Sequence, residues 1–158
     1  MRLMRALSKK STYAMRALIA LARHEGHGPV LIADLAEKER IPRKFLEAVL
    51  LELKNAGFLE SKKGKGGGYS LARSAAQISL GQVIRLLDGT LAPMPCASER
   101  AFKKCDECVS LATCGIHPVM RKVRDETARI LDGTSLEDVR RHEDALQRQR
   151  HAPWVYEI

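Results

Sequence analysis

The sequence predicts a mostly α-helical fold that carries one small β-hairpin. Three observations lead to that expectation. Apolar residues recur at three- and four-residue spacing over most of the chain, the signature of helices with one buried face. A glycine-rich stretch, "KKGKGGGYSL" at 62–71, is flanked by short apolar runs that suit two strands. From about 90 to 117 the periodicity vanishes, and all four cysteines of the chain lie there.

In chain order, Ser8 suits the cap of a first helix, with Tyr13, Ala14, Ala17, Leu18 and Leu21 at helical spacing up to Gly26. "GHGP" at 26–29 reads as a loop, and Ile32, Leu35 and Ala36 mark a second helix of about two turns. A third follows, with Phe45, Leu46, Val49, Leu50 and Leu53 on one face, Pro42 in its first turn and Gly57 at its end. The polar run "EKER" at 37–40 reads as the tight connection between them, so the pair has the pattern of a helix-turn-helix. Phe58 and Leu59 on one side, and Tyr69 and Leu71 on the other, supply the strands, with the glycines at the tip. A hairpin appended to a helix-turn-helix is a winged helix. Ser79 then caps another helix with Val83, Ile84 and Leu87 inward.

Beyond the cysteine-bearing loop, Ile116, Met120, Val123, Thr127 and Ile130 are spaced 4, 3, 4, 3 on an otherwise charged helix. A stripe this narrow suits one partner helix and predicts a symmetric dimer; packing onto its own domain is the alternative. Ser135 suits the cap of a last short helix, and the tail has no readable order. The expected organisation is 1–90 winged helix-turn-helix, 91–117 cysteine-rich loop, 118–148 dimerisation helix with a C-terminal helix, and 149–158 tail.

Net charge is +8, and its distribution is one-sided. Residues 1–73 carry 15 Lys/Arg against 7 Asp/Glu, whereas residues 74–158 carry 12 of each. That is the footprint of a polyanion-binding module joined to a neutral one, although a merely soluble basic surface has the same count. A helix entering the major groove presents its amino end to the base edges. Here that end offers Arg43 and Lys44 for guanine edges or phosphates, and Glu47 to accept from a cytosine amino group. At the wing, Lys62, Lys63 and Lys65 suit phosphates, and Gly66 and Gly67 allow the backbone to come close. Tyr69 suits an anchor for the hairpin or a phosphate contact. The expected partner is double-stranded DNA.

The start, "MRLMRALSKKSTYAMRALIALA", has the positive-then-apolar order of a signal peptide. Its charge continues at Arg16 and Arg23, so it reads as a mature amphipathic helix and the expectation is a cytoplasmic protein without a membrane span. The cysteines, Cys96, Cys105, Cys108 and Cys114, have the spacing C-x8-C-x2-C-x5-C, followed two residues on by His117. Clustered in an intracellular chain, they point to a metal or a redox role. Thiolates are soft donors, and four of them, or three with His117, complete a tetrahedral zinc site or a small iron–sulfur cluster. Metal-free thiols that form a disulfide are a third possibility. Lys103 and Lys104 are placed to offset thiolate charge. No nucleophile–base pair, phosphate-loop spacing or HExxH motif is present, so the expectation is no enzyme. "GKGGGYS" resembles a phosphate loop in composition alone.

"SKKSTYAMRALIALA", "IADLAEKERIPRKFLEAVLLELKNAGFLESKKGKGGGYSLA" and "ISLGQVIRLLDG" resemble the Rrf2 family of bacterial winged-helix regulators over residues 1–132. That family includes the iron–sulfur assembly regulator and the nitric-oxide-sensing repressor. The resemblance implies a homodimer on a palindromic operator, with an iron–sulfur cluster, 2Fe–2S or 4Fe–4S, near the dimer helix, and makes zinc the less expected occupant. Glu47 matches the family's glutamate in the recognition helix. The family wing commonly carries arginine and proline where this chain has Lys63 and Lys65. Cys96, Cys108, Cys114 and His117 match the family's three cysteines and histidine, and Cys105 is extra. The preferred ligand set is the four cysteines, with His117 as the alternative fourth ligand. A small iron–sulfur electron carrier without DNA binding is the competing expectation.

Overall fold

The computed structural model describes residues 7–151. It has six α-helices and a two-stranded antiparallel hairpin, the mostly helical winged fold expected from the sequence. Helix α1 spans Lys9–Ala22, and Ser8 caps it by accepting from the Ser11 amide at 3.0 Å. Helix α2 spans Ile32–Glu39 and α3 Arg43–Asn55.

The connection between α2 and α3 is shifted from its expected place. Glu37, Lys38 and Glu39 complete α2, and the turn is Arg40–Pro42. Arg40 adopts a left-handed conformation with φ 51°. This reverses the chain and drives Ile41, 3% exposed, into the core, while its amide closes on the Ala36 carbonyl at 2.9 Å. Burial of Ile41, rather than the polarity of "EKER", sets the turn. Pro42 flanks α3 one residue before its first turn.

Strands β1 Leu59–Lys62 and β2 Gly68–Leu71 pair with Leu59 opposite Leu71 and Ser61 opposite Tyr69. Phe58 precedes β1, buried beneath the Arg73 guanidinium at 4.8 Å. The far edge of β2 is also occupied. Val30 exchanges two backbone hydrogen bonds with Tyr69, at 2.8 and 2.9 Å, and so acts as a one-residue third strand.

Helix α4 spans Leu80–Asp88 and begins with a reciprocal capping box between Ser79 and Gln82. Helix α5 spans Ile116–Asp132 and α6 Leu136–His151. The core is one cluster centred on Leu18, Leu35, Leu46, Leu50, Leu53, Ile78, Val83 and Leu136. Leu136 brings α6 into it, and the chain on either side is stitched to the start of α4. The Leu80 amide donates to Thr134 and the Leu136 amide to Ile78, at 3.0 and 2.9 Å. Arg85 of α4 grips Asp132 at the end of α5 through two bonds of 2.5 and 2.8 Å.

The last helix is capped at Ser135 as expected, but it runs for 16 residues instead of a few. Among the described residues, Leu136 and Val139 anchor it in the core. Its first turns are held by Arg140 and Arg141 on Glu137, at 2.7 and 2.8 Å, and by Arg140 on Asp144 at 3.1 Å. Arg140, and then Arg141, hold the Glu137 carboxyl down to about 2. A helix supported by charge pairs has no apolar stripe, so periodicity underestimates it. The expected tail beyond residue 151, and residues 1–6, lie outside the described residues. Among the described residues no helix is long and apolar enough to cross a membrane.

Candidate nucleic-acid interface and cysteine loop

Helix α3 buries Leu46, Val49, Leu50 and Leu53 completely, and this fixes its rotation. Arg43, Lys44 and Glu47 then face solvent. Arg43 Nε donates to Glu47 Oε1 at 3.1 Å, so the two polar side chains at the amino end of α3 act as one neutral pair when no ligand is present. Phe45 packs edge-on against Tyr13, with ring centroids 5.4 Å apart, and Lys10 pairs with Glu52 at 2.5 Å. Both contacts lock α3 to α1.

At the hairpin tip, Lys62, Lys63 and Lys65 are exposed, and among the described residues none has an acidic partner. Gly64 and Gly66 have positive φ, 87° and 71°, in open space. Gly67 and Gly68 are required for a different reason. A Cβ on Gly67 would lie 2.3 Å from the Lys62 carbonyl oxygen, and one on Gly68, at φ 144°, would lie 2.2 Å from that of Val30. Gly67 is also buried. Close approach to DNA is therefore not what demands glycine at 67: the hairpin's own backbone is the surface approached. Tyr69 packs on the core, with both backbone groups bonded to Val30.

The cysteine loop begins with a 3-10 turn, Pro95–Ala97, that buries Cys96 and Ala97. The Lys103 amide closes back on the Pro95 carbonyl at 3.3 Å. This brings Cys105 beside Cys96. Interaction with the Cys96 thiol first, then desolvation and the nearby sulfurs of Cys96 and Cys114, hold the Cys105 thiol above its usual range. The Cys108 amide turns back on the Cys105 carbonyl at 3.0 Å, and Cys108 and Cys114 are half-buried. His117, in the first turn of α5, has its Nδ1 buried without a hydrogen-bond partner among the described residues. The donor set thus has the chemistry of a soft-metal or cluster site: four free thiols, two of them in contact, and an orphaned imidazole nitrogen. Among the described residues no three His, Cys, Asp or Glu side chains converge at metal-binding spacing. Lys103 and Lys104 are engaged within the loop, with Asp106 at 3.6 Å and the Val109 carbonyl at 3.4 Å, instead of standing over the thiols.

One residue of the site carries no signal in the sequence. Arg124 of α5, 8% exposed, reaches from the helix to the loop and donates to the Ala97 carbonyl at 2.7 Å. In sequence it is one of several charged residues on α5, and nothing distinguishes it from Arg121 or Lys122.

The α5 stripe is not covered by its own domain among the described residues. Ile116, Val123 and Ile130 are 58%, 38% and 56% exposed, while Met120 and Thr127 are half-buried. Val119, outside the expected stripe, is 51% exposed as well. Beside Val123 opens an apolar cavity of about 520 Å³, lined among others by Leu7, Ile84, Leu87, Leu91 and Leu131.

The profile of the Rrf2 family, described as an iron-dependent transcriptional regulator, matches residues 7–142. An Rrf2-like HTH-type transcriptional regulator of Rhodobacter capsulatus is 35% identical over 136 residues, covering 84% of this chain and 91% of its own. Among solved structures, the global cysteine regulator CymR of B. subtilis superposes with a TM-score of 0.72 at 28% identity, over 87% of this chain and 98% of that one. T. potens IscR superposes with a TM-score of 0.67 at 31% identity, over 89% and 88%.

Proposed function

The chain belongs to the Rrf2 family of transcriptional regulators, and from that premise we propose a cytoplasmic homodimer that binds a palindromic DNA operator with an affinity set by the state of its cysteine loop. The family is one of regulators and not of enzymes, which removes the expectation of an electron carrier without DNA binding.

The DNA-reading surface is assigned to Arg43, Lys44 and Glu47 at the amino end of α3, and to Lys62, Lys63, Lys65 and Gly66 at the wing. Gly67 and Tyr69 serve this surface by shaping and anchoring the hairpin. The observation that carries the assignment is the set of three wing lysines, exposed and, among the described residues, without acidic partners on a glycine-shaped turn. Each lysine that neutralises a phosphate adds about 0.9 to the slope of log affinity against log salt. Replacing Lys62, Lys63 and Lys65 together with alanine is expected to weaken duplex binding and to flatten that slope by about 2.7. Fluorescence anisotropy across a salt series, on a duplex selected by the wild-type protein from a random pool, measures it. An unchanged slope removes the wing from the interface.

In the loop, Cys96, Cys105, Cys108 and Cys114 are assigned as ligands of an iron–sulfur cluster, with His117 the alternative fourth ligand. The orphaned Nδ1 of His117 and the Cys96–Cys105 contact support a ligand set of this kind. The cluster, when bound, supplies a crosslink whose presence follows iron and oxidant supply. The chain's own part is to hold the donors between α4, next to the reading head, and α5, which bears the dimer stripe. A change in loop order then changes how two heads sit on half-sites one helical turn apart. Protein purified without oxygen is expected to absorb visible light and to contain iron and sulfide, and Cys108→Ala to lose both. Zinc in place of iron assigns a structural metal. The Cys96–Cys105 contact also favours a second reading, a disulfide switch. For that, colourless metal-free protein would lose two titratable thiols on treatment with hydrogen peroxide, and Cys105→Ser would prevent the loss.

A further inference from the structure

Arg124 is a charged side chain in a place where charge is costly. A guanidinium removed from water costs several kcal/mol unless every donor direction is matched. Three groups match this one. Arg124 Nη1 donates to the Ala97 carbonyl at 2.7 Å, Nη2 pairs with Glu99 at 3.3 Å, and Nε donates to Asp125 at 2.8 Å. Asp125 is its neighbour on α5, but Ala97 and Glu99 belong to the cysteine loop. Ala97 directly follows Cys96 and is itself buried on the last residue of the 3-10 turn. On the helix, Arg124 follows Val123, and Met120 and Thr127 lie about one turn to either side.

We infer that Arg124 is the positioning residue that places Cys96 and ties the cysteine loop to the exposed stripe of α5. If the turn bearing Cys96 leaves, the guanidinium loses two of its three partners. The loop and α5 therefore shift together, or Arg124 must move out into water. Either way the state of Cys96 reaches Val123 and Thr127, on the face assigned to the partner subunit. This rests on the reading of the loop as a sensor, but the tether itself is testable without it.

The test uses the full chain with Arg124→Gln, which keeps an amide donor and removes the charge, and Arg124→Lys, which keeps the charge with a single donor head. Hydrogen exchange on metal-free protein should show residues 96–98 and 120–128 exchanging about tenfold faster in Arg124→Gln. The amides of α1 to α4 should stay at their wild-type rates, and Arg124→Lys should recover part of the protection. Equal protection in loop and helix overturns the tether. Should Arg124→Gln lose protection throughout, Arg124→Lys decides by the same criterion. A second arm compares affinity for the selected duplex before and after reconstitution with iron and sulfide. Wild type is expected to change by about tenfold, within the usual range of allosteric coupling, and Arg124→Gln by less than about twofold. A wild-type ratio retained in Arg124→Gln overturns the transmission. A wild-type ratio of one overturns the sensor reading and with it the transmission, and the exchange arm still reports on the tether.

Discussion

Val123→Glu combined with Ile130→Glu is expected to convert the protein to a monomer and to weaken operator binding by about a hundred- to ten-thousandfold, the range by which tethering two binding modules raises avidity. The basis is a contrast between two environments. In a single chain both side chains are substantially exposed, so a carboxylate at either position stays hydrated and leaves the fold undisturbed. In a dimer formed through this stripe the same carboxylates meet their counterparts across a two-fold axis and lose water without gaining a cation. The thermal midpoint of the isolated chain should barely move while the mass halves. Light scattering and duplex anisotropy on one preparation measure both. A variant that remains dimeric places the interface elsewhere.

Gly68→Ala should be the most damaging single change in the hairpin, at about 3 kcal/mol or more, which lowers the melting temperature of a chain this size by about 10 °C. The added Cβ falls 2.2 Å from the Val30 carbonyl oxygen, and the residue already sits at φ 144°. No flexible side chain can move aside, because both clashing groups are backbone. Separating them breaks the paired hydrogen bonds between Val30 and Tyr69 that fix the wing to the α1–α2 loop. DNA binding should fall with stability. Gly66→Ala is the matched control: φ is 71° but space is open, so about 1 kcal/mol of left-handed strain is expected and no clash. Similar melting temperatures for the two variants would refute the close approach at Gly68. The comparison separates a glycine needed for backbone proximity from one needed only for its φ.

Local patterns were legible wherever burial had a period. Leu46, Val49, Leu50 and Leu53 announce α3 and its rotation, and hence which of its residues face outward. Ser8, Ser79 and Ser135 announce three helix starts, because a capping hydroxyl acts on amides only two or three residues away. The glycine run announces a turn. What it turns against was not legible, since Val30 lies far along the chain and gives no strand signal of its own. The same limit hid the turn at Arg40–Pro42, where burial of Ile41 outweighed a polar run. It also hid the length of α6, held by charge pairs that leave no apolar stripe.

The amino-acid sequence by itself determined the kind of protein this is: a basic winged-helix unit, a cysteine loop and a helix with a narrow apolar face. Those features follow from the spacing of neighbours along the chain, and spacing is a local property. Tertiary structure alone decided that Gly67 makes room for the hairpin's own backbone and Gly68 for that of Val30, that Cys105 lies beside Cys96, and that a buried arginine joins their loop to α5. Each depends on atoms brought together from distant points of the chain. A contact of that kind leaves no period in the sequence, because folding creates the low-dielectric, sterically crowded setting in which it matters.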